Sequence, residues 1–467
     1  MNRRQFVAGA AAAAITVRNS LSEAAKPLEH ESQFKLSIEP VSLEIAPGVV
    51  ISTVGYNGMI PGPLLRMREA QPVTVEVTNK TNAAELVHWH GLAIDPINDG
   101  AMEEGSPMIP AHGHLRYSFT PKPSGSRWYH THATAGADLT KSTYGGQFGF
   151  LYVEPKVDPH HYDSEYFLQI HHWGPSLVPM MLMPQSDSDD DSAPKPKGME
   201  VTGCDVAYKH GTINGRKLGH GEPLRVSQNQ RVMLRILNAS ATQNVILALP
   251  GHKFRVVAMD GNPVPNPADV ESLQVAVAER MDVIVEMNSP GVWALASVDD
   301  EERKNGLGIV VEYAGQSGPP VWKTPAANNW DYSIFANAAT APDAEKRFSI
   351  LIKMTPPPAG SKLAQWSMNG ESWPNIEPLS VEKGKRYRLS FVNSSTCAHP
   401  MHLHRHSFEV TRIGRKHMTG LMKDVINVPA GSIAEVDFTA DNPGDTLMHC
   451  HQQLHMDCGF MQLIKYV

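Results

Sequence analysis

The chain alternates short apolar runs with turn-forming residues. Val, Ile, Leu and Thr are concentrated in runs of a few residues, which are broken by Pro-Gly, Asn-Gly and Asn-Ser pairs. Long amphipathic helical patterns are scarce, and Gly and Pro occur 36 times each. Short strands separated by regular turn signals are typical of β-sandwiches. The pattern therefore predicts an all-β protein.

One β unit occurs three times along the chain. In each copy an Asn-Gly pair precedes a strand that ends in asparagine, and the strand ends lie at Asn79, Asn238 and Asn393. These asparagines follow the asparagine of their Asn-Gly pair by 22, 24 and 24 residues. A chain of 467 residues is also too long for a single core. We predict three consecutive domains, over residues 26–157, 158–316 and 317–467.

Histidine pairs occupy matching positions in the first and third copies. Nine and eleven residues after the strand-ending asparagine, both copies have histidine, and a second pair follows a glycine by five and seven residues in both. The first copy has His88, His90, His130 and His132, and the third has His402, His404, His449 and His451. The middle copy is apolar at the same positions, with Leu247, Leu249, Ala296 and Val298.

Each pair reads His-x-His on a predicted strand, so its two rings lie about 7 Å apart on one face of the sheet. Eight converging imidazoles are too many for one metal ion, and neutral imidazole suits copper and zinc. We therefore expect a multinuclear metal cluster between the first and third domains. The second domain would serve as spacer and wall.

Cys450 lies between two of these histidines, in the run His449-Cys450-His451. On a strand its side chain faces away from those of its neighbours, so it can belong to a second metal site. The two sites would then be joined by a few covalent bonds. His399 and His455 are the candidate partners of Cys450, because one thiolate and two imidazoles make a trigonal site of the blue-copper kind.

Four motifs of this chain resemble the copper-binding motifs of the three-domain multicopper oxidases, a family that includes laccases, ascorbate oxidase and bacterial copper-tolerance oxidases. The motifs are His88-Trp-His90-Gly91, Trp128-Tyr129-His130-Thr-His132, His399-Pro-Met-His402-Leu-His404 and His449-Cys450-His451-Gln-Gln-Leu-His455. The resemblance implies three cupredoxin-like Greek-key β-sandwich domains. It also implies four copper ions per chain and an enzyme that couples substrate oxidation to the reduction of dioxygen to water.

Carried over motif by motif, the resemblance implies a ligand set for each copper. The type 1 copper would be held by His399, Cys450 and His455, with Phe460 in the axial position. The type 2 copper would take His88 and His402. One type 3 copper would take His90, His130 and His451, and the other His132, His404 and His449. Asp99 matches the acidic residue that relays protons beside the cluster, and His399 is expected to accept electrons through an exposed edge.

The chain departs from the family pattern at several positions. Phe460 donates nothing to copper, which implies a more oxidising type 1 site than an axial methionine gives, unless a bulge brings Met461 there. Met456 stands where many bacterial members have an acid, although Asp457 is next to it. Arg405, beside His404, is expected to point outward. The three remaining cysteines include two near the type 1 site, which would stay as thiols or form a pair: Cys204, Cys397 and Cys458.

A strongly oxidising site favours a phenol or an aromatic amine as the reducing substrate. The alternative reductant is Cu(I) or Fe(II), which could dock at the methionines and aspartates of the segment from Met180 to Lys197. A non-catalytic copper-binding envelope protein is the alternative of another class. Copper nitrite reductase, which shares the domain type, needs only two domains and no type 3 pair.

The N-terminus has the features of an export signal. Arg3 and Arg4 precede a modest apolar stretch that ends at Ile15, which predicts a twin-arginine signal peptide over residues 1–25 and a periplasmic or secreted protein. The stretch is shorter than a membrane span.

The formal net charge is −7 and no basic stripe occurs, which argues against a nucleic-acid partner. Because one chain carries both histidine-bearing domains, a monomer is sufficient.

Overall fold

The computed structural model describes residues 33–182, 199–326, 330–355, 357, 361 and 363–467. For residues 180–182 and 199–204 it describes the backbone alone. The predicted signal peptide and most of the segment from Met180 to Lys197 lie outside the described residues. We refer below to the first region (33–157), the second region (158–316) and the third region (317–467).

The first region forms two four-stranded sheets, with strand orders β2-β1-β4-β6 and β3-β8-β7-β5. Its strands are β1 Phe34–Ala46, β2 Val49–Tyr56, β3 Gly62–Arg68, β4 Val73–Asn79, β5 His88–His90, β6 His114–Phe119, β7 Gly125–His130 and β8 Phe148–Glu154. One short helix, α1, spans Pro96–Asp99, and 3-10 turns cover Met102–Glu104 and Ser142–Gly145.

The second region adds a two-stranded ribbon, β10-β11, to two larger sheets of orders β12-β9-β14-β19-β16-β17 and β13-β21-β20-β15-β18. Its strands are β9 Ser164–Trp173, β10 Ser176–Leu182, β11 Met199–Ala207, β12 His210–Ile213, β13 Leu224–Val226, β14 Arg231–Asn238, β15 Val245–Ala248, β16 Phe254–Met259, β17 Asn262–Val270, β18 Ser272–Val275, β19 Arg280–Glu286, β20 Val292–Ser297 and β21 Gly308–Tyr313. Helix α2 spans Asp300–Lys304.

The third region has sheets of orders β23-β22-β25-β30-β27-β28 and β24-β32-β31-β26-β29. Its strands are β22 Lys346–Thr355, β23 Gln365–Met368, β24 Leu379–Val381, β25 Arg386–Asn393, β26 His399–Leu403, β27 Phe408–Ile413, β28 Lys416–Lys423, β29 Val425–Val428, β30 Ile433–Thr439, β31 Thr446–Cys450 and β32 Met461–Tyr466. Helix α3 spans Gln453–Asp457, and a 3-10 turn covers Tyr332–Phe335.

The three regions share one sheet plan, and the prediction of an all-β protein is confirmed. In each region the opening strand pairs in parallel with the strand that ends in the repeated asparagine, as β1 with β4, β9 with β14 and β22 with β25. The strands that carry the histidine pairs are equivalent too. Strands β5 and β7 of the first region correspond to β26 and β31 of the third, and to β15 and β20 of the second.

The repeated residues have a physical role in this plan. The asparagines of the Asn-Gly pairs take positive φ angles of 53°, 52° and 56°, as the turn into each next segment requires. The strand-ending asparagines are buried and tie the strand end to a later loop. Asn393, for example, donates its amide to the carbonyls of Cys397 at 2.8 Å and Val428 at 3.3 Å. This loop leads directly into the histidine-bearing strand.

Two of the predicted glycine turns lie where the regions touch. Gly125 has φ +111°, and a Cβ there would lie 2.0 Å from the carbonyl oxygen of Gly261 in the second region. Gly444 has φ +115°, and its Cβ would lie 2.7 Å from Pro96 in the first region. Only glycine permits both the backbone angle and the close approach.

None of the helices in the described part of the chain has the length and apolar character that crossing a membrane requires.

Candidate metal centres

The eight histidines of the four His-x-His pairs meet in one buried group between the first and third regions, which we call the histidine cluster. Each of its members is at most 5% exposed. Within each region, strand pairing sets the histidines side by side, as His88 opposite His130 and His402 opposite His449. Across the interface, His90 stacks on His402 with ring centroids 3.8 Å apart.

The ring nitrogens of the cluster fall into groups that match the expected ligand sets. One group contains His90, His130 and His451, and another contains His132, His404 and His449, with the nitrogens of each group within 4.8 Å of one another. The Nε2 atom of His449 lies 3.0 Å from that of His404 and 3.5 Å from that of His132. His88 and His402, the expected type 2 pair, group with His90.

Hydrogen bonds hold one nitrogen of several rings and leave the other free to bind a cation. Nδ1 of His88, His130 and His402 pairs with the backbone oxygens of Asp99, Thr131 and Asp424, at 2.8, 2.8 and 2.7 Å. The Nε2 atoms of these three rings have no hydrogen-bond partner in the described structure. An unpaired buried nitrogen costs about 1–3 kcal/mol, so the arrangement suits a metal ion with a fixed second shell of oxygens.

Burial also favours the neutral form of seven cluster imidazoles, and the neutral form is the one that binds metal. Desolvation, reinforced by the neighbouring imidazoles, lowers the pKa of six rings well below the ordinary value: His90, His130, His132, His402, His404 and His451. It lowers the pKa of His449 to about 3. A set of neutral imidazoles fits copper well.

The second donor set, which we call the cysteine site, comprises His399, Cys450 and His455. The Cys450 sulfur lies 3.8 Å from Nδ1 of His399 and 3.6 Å from Nδ1 of His455, and all three residues are buried. On strand β31 the Cys450 side chain faces away from the cluster. Helix α3, which follows this strand, brings His455 next to Cys450. Burial raises the pKa of the Cys450 thiol well above its ordinary value, so a thiolate at this position requires a bound cation.

Aromatic rings pack around the cysteine site. The Trp366 ring lies 4.6 Å from the His399 ring and 4.3 Å from the His455 ring, measured between centroids. Phe460 is fully buried, with its centroid 5.1 Å from that of His399, and belongs to the same core as Cys450. Met461 packs elsewhere, with Leu447, Met456 and Leu463. The structure therefore places Phe460, not Met461, on the side of the cysteine site.

His399 does not present an exposed edge, so that expectation is wrong. Its exposed fraction is 0%. The loop before strand β26 folds over the ring, which places the Ser395 hydroxyl 2.8 Å and the Cys397 sulfur 3.7 Å from Nε2. His455 is 2% exposed. Cys397 and Cys458 are both partly buried beside this site, and the side chain of Cys204 lies outside the described part of the structure.

Arg405 does not point outward, so that expectation is also wrong. The residue is 1% exposed and has φ +60°. Its guanidinium donates to the carbonyls of Ile94 at 2.9 Å, Pro443 at 2.7 Å and Asp445 at 2.8 Å. These carbonyls compensate the buried charge and tie the third region to the first.

Two carboxyl groups of the first region lie within 3.3 Å of a ring nitrogen of the cluster. Asp99 Oδ2 accepts a hydrogen bond from Nδ1 of His404 at 2.8 Å and lies 3.1 Å from Nδ1 of His88. Glu104 Oε1 lies 3.3 Å from the same nitrogen of His404 and accepts from the Leu447 backbone at 2.6 Å. Burial and the neighbouring Asp99 raise the pKa of Glu104 well above its ordinary value. Asp99 was predicted from the sequence, whereas Glu104, in a 3-10 turn without a motif, was missed.

A third carboxylate, Asp424, lies between strands β28 and β29 and was also missed. Its Oδ1 lies 3.1 Å from Nε2 of His90, although the two residues are 334 positions apart in sequence. It lies just before the strand that pairs with β26, which is the only local signal of its place. Asp424 therefore contacts two expected ligands, His90 through its side chain and His402 through its carbonyl.

Asp457 is directed at the first region. Its Oδ2 accepts from the backbone nitrogens of Ala135 at 2.9 Å and Gly136 at 2.8 Å, and burial raises its pKa to about 7. Met456, at the position where many bacterial multicopper oxidases have an acid, is buried among apolar side chains.

Comparison with known proteins identifies the family. Sequence profiles described as multicopper oxidase match residues 38–158, 186–315 and 340–466. The chain is 30% identical to multicopper oxidase MmcO of Mycobacterium tuberculosis, over 98% of this chain and 91% of the relative. It is 24% identical to copper resistance protein A of Pseudomonas syringae pv. tomato, over 99% of both. Laccase-1 of Botryotinia fuckeliana is 28% identical, over 89% of this chain and 78% of the relative.

Solved structures support the fold. Fet3p, a multicopper oxidase that functions in iron import, superposes with a TM-score of 0.76 at 17% identity and covers 93% of this chain and 90% of its own. The laccase of Botrytis aclada superposes with a TM-score of 0.73 at 19% identity, over 92% and 87%. The predicted fold class, three consecutive cupredoxin-like domains, is thereby confirmed. The chain belongs to the multicopper oxidase family and is a copper-dependent oxidoreductase that uses dioxygen.

Proposed function

We propose that this multicopper oxidase is laccase-like: it oxidises phenols or aromatic amines in one-electron steps and reduces dioxygen to water with four electrons. The observation that carries the proposal is the pair of buried donor sets, one with a thiol and two imidazoles and the other with eight imidazoles. The two sets are joined by the three consecutive residues His449, Cys450 and His451. This run gives a path of a few covalent bonds along which electrons can move between the two sites.

Four copper ions would occupy these sets. The cysteine site would hold the type 1 copper, and the type 2 copper would bind His88 and His402. The type 3 coppers would bind the groups of three described above, His90, His130 and His451, and His132, His404 and His449. Copper bound in these places would supply one-electron oxidation at the first site and dioxygen reduction at the cluster.

The chain's own residues handle protons at the cluster. Asp99 accepts from Nδ1 of His404 and keeps its second oxygen, Oδ1, without a hydrogen-bond partner in the described structure. Burial and the neighbouring Asp99 raise the pKa of Glu104 well above its ordinary value, which favours its protonated form. Two neighbouring carboxyl groups, one of them with a raised pKa, can pass protons toward the site where water forms.

The surroundings of the cysteine site favour an organic substrate. Phe460 offers no donor atom, and Trp366 and Phe460 stack with centroids 5.7 Å apart beside the two imidazoles. A copper without an axial sulfur is more oxidising, as the removal of an electron from a phenol requires.

Oxidation of Cu(I) or Fe(II) is the second candidate. Similarity to a copper resistance protein A across nearly the whole chain favours it, as does structural similarity to an oxidase that functions in iron import. The segment from Met180 to Lys197 would then be the docking site for the metal ion. We further propose that residues 1–25 direct export of the protein through the twin-arginine route, and that the protein acts as a monomer.

Oxygen uptake by the copper-loaded protein tests the proposal. We expect rapid uptake with a phenol and slow uptake with Cu(I), measured at equal protein concentration with Cys450→Ser as the matched control. Rapid uptake with Cu(I) alone would establish the second candidate instead. Absence of uptake with either reductant from protein that contains four coppers per chain would contradict both.

A further inference from the structure

The second region contributes none of the expected ligands, yet it contacts the histidine cluster through a chain of buried charges. Asp424 of the third region lies 3.1 Å from Nε2 of His90 in the first. Arg280 is the first residue of strand β19 in the second region. Both of its terminal nitrogens donate hydrogen bonds to the Asp424 carboxylate, and the distance between Nη1 and Oδ1 is 2.7 Å. All three side chains have an exposed fraction of 0%.

Arg280 is held in a single orientation. Its five N–H groups all have acceptors: the two oxygens of Asp424 and the carbonyls of Ser126, Ala278 and Asp260. A guanidinium with every donor engaged cannot rotate without losing hydrogen bonds. Arg280 therefore fixes both oxygens of Asp424, and one of them, Oδ1, is the atom that contacts His90.

Further charges fix the backbone around Asp424. Asp260 of the second region accepts from the backbone nitrogens of Asp424 at 3.2 Å and Val425 at 3.1 Å. Lys423 lies 2.9 Å from Asp260 and 3.0 Å from Glu279, both in the second region. Three cations and three carboxyl groups therefore meet here. The cations are Arg280, Lys423 and, from the first region, Arg127; the carboxyl groups are those of Asp424, Asp260 and Glu279.

Space is reserved for this arrangement at Gly91, directly after His90. A Cβ at Gly91 would lie 2.7 Å from Oδ2 of Asp424, 2.9 Å from Nη2 of Arg280 and 3.0 Å from Cδ of Arg127. The last residue of the His-Trp-His-Gly motif therefore lets three charged side chains from three regions meet behind the histidine.

The contact decides which nitrogen of His90 faces the cluster. With Nε2–H donating to Asp424, the lone pair is on Nδ1, and Nδ1 has no hydrogen-bond partner in the described structure. Removing the arginine would leave Asp424 as a buried carboxylate with one fewer cation, free to turn or to draw a proton. The imidazole would then lose its fixed tautomer and orientation.

We propose that Arg280 is a positioning residue for the copper cluster: the second region orients His90 through the relay Arg280, Asp424, His90. The proposal rests on the copper assignment made above. The second region, which contributes no copper ligand, then has a function beyond that of a spacer. Its Arg280 orients His90 of the first region through Asp424 of the third.

The test compares Arg280→Gln with Arg235→Gln. Arg235 is a matched control because it is also buried in the second region, 3% exposed, and pairs with Asp282 at 2.6 Å and Glu165 at 3.1 Å, while none of its described contacts reaches an expected ligand. Copper-loaded proteins are challenged with increasing chelator, and total copper and the blue absorption of the cysteine site are followed separately. Thermal unfolding of each apoprotein reports stability.

We expect Arg280→Gln to lose cluster copper at about 10–100-fold lower chelator concentration than the wild type while its blue absorption persists, as is usual when an outer-shell partner is removed. Arg235→Gln should lower stability and retain wild-type copper binding. Arg280→Lys, which keeps the charge but contacts one oxygen, should show a smaller loss, and it decides the question if Arg280→Gln does not fold.

Cluster copper retained as in the wild type by the folded Arg280 variants would overturn the inference, and so would equal copper loss in Arg235→Gln. If wild-type protein itself holds no copper beyond the blue site, the copper assignment fails instead.

Discussion

The histidine cluster and the cysteine site share strands β26 and β31 but have different surroundings. Carboxyl groups border the cluster: Asp99 and Asp424 lie at 2.8 and 3.1 Å from its ring nitrogens, with Glu104 at 3.3 Å. Aromatic rings border the cysteine site, where Trp366 lies within 4.6 Å of both imidazole rings. The contrast follows the chemistry proposed for each, because dioxygen reduction consumes protons and one-electron oxidation at a copper need not.

Strand geometry makes this separation possible. On β31 Cys450 faces one side of the sheet and His449 the other, while on β26 the odd spacing of His399 and His402 has the same effect. A single sheet thus has the cysteine site, bordered by aromatic rings, on one face and the histidine cluster, bordered by carboxyl groups, on the other. Substitutions that act on one face and spare the other test this division.

The largest expected effect comes from Cys450→Ser. A hydroxyl does not replace the thiolate of a blue-copper site, so blue absorption and oxidation of a phenol should both be abolished. The cluster should keep its three coppers, because the substituted side chain faces away from it. Total copper and visible spectra check this result. Persistent blue colour would show that the cysteine site is not the type 1 centre.

Asp99→Asn should affect the opposite face. Loss of a carboxylate that relays protons lowers turnover by about 10²–10⁴-fold. The blue absorption and its anaerobic bleaching by a phenol should remain at the wild-type rate, since none of the described interactions of the Asp99 side chain reaches the cysteine site. Stopped-flow spectroscopy separates the two steps. Equal slowing of bleaching and turnover would mean that the two faces are not separable in this way.

Gly91→Ala should disturb the cluster by steric clash. The added methyl group would collide with Asp424 and Arg280, and overpacking of this kind costs about 1–3 kcal/mol of unfolding free energy. Gly48→Ala is the matched control, because Gly48 has φ +74° and no atom within 4 Å of its Cβ position. Denaturant unfolding measures the difference between the variants. Equal losses would show that the backbone angle matters and the packing behind His90 does not.

The smallest effect is expected from Phe460→Met. A thioether beside copper stabilises Cu(II), so the type 1 potential should fall by about 59 mV, a tenfold change in the one-electron equilibrium. Copper content should stay the same. Redox titration of the blue absorption measures the potential, with Phe408→Met, a buried position in the same core, as the control. An unchanged potential would remove Phe460 from the axial position.

Features that recur along the chain could be predicted from the sequence. The spacing from Asn79 and Asn393 located both histidine strands, because these asparagines anchor equivalent loops in each region. The period of a strand then placed Cys450 and its neighbours on opposite faces. The same count from Asn238 reaches Leu247 and Leu249 in the second region, and both leucines are buried in the core of the structure.

Contacts between regions could not be predicted in this way. Asp424 contacts His90 and Arg280 contacts Asp424, each from a different region, and neither residue belongs to a motif or a periodic pattern. Arg405 was expected outside because a lone arginine is normally exposed. Its burial depends on carbonyls of Ile94 and Asp445, which only the folded interface brings together. The cover over His399 is likewise a loop conformation that no spacing reveals.

Counting electrons tests most directly the central claim, that two donor sets joined by Cys450 act as one unit. The copper-loaded protein is titrated with a phenol without oxygen, and electrons accepted per chain are counted against blue absorption. We predict four electrons per chain in the wild type and none accepted from the phenol by Cys450→Ser, although that variant holds its cluster copper. Bleaching of the wild type after a single electron, with no further uptake, would contradict the claim.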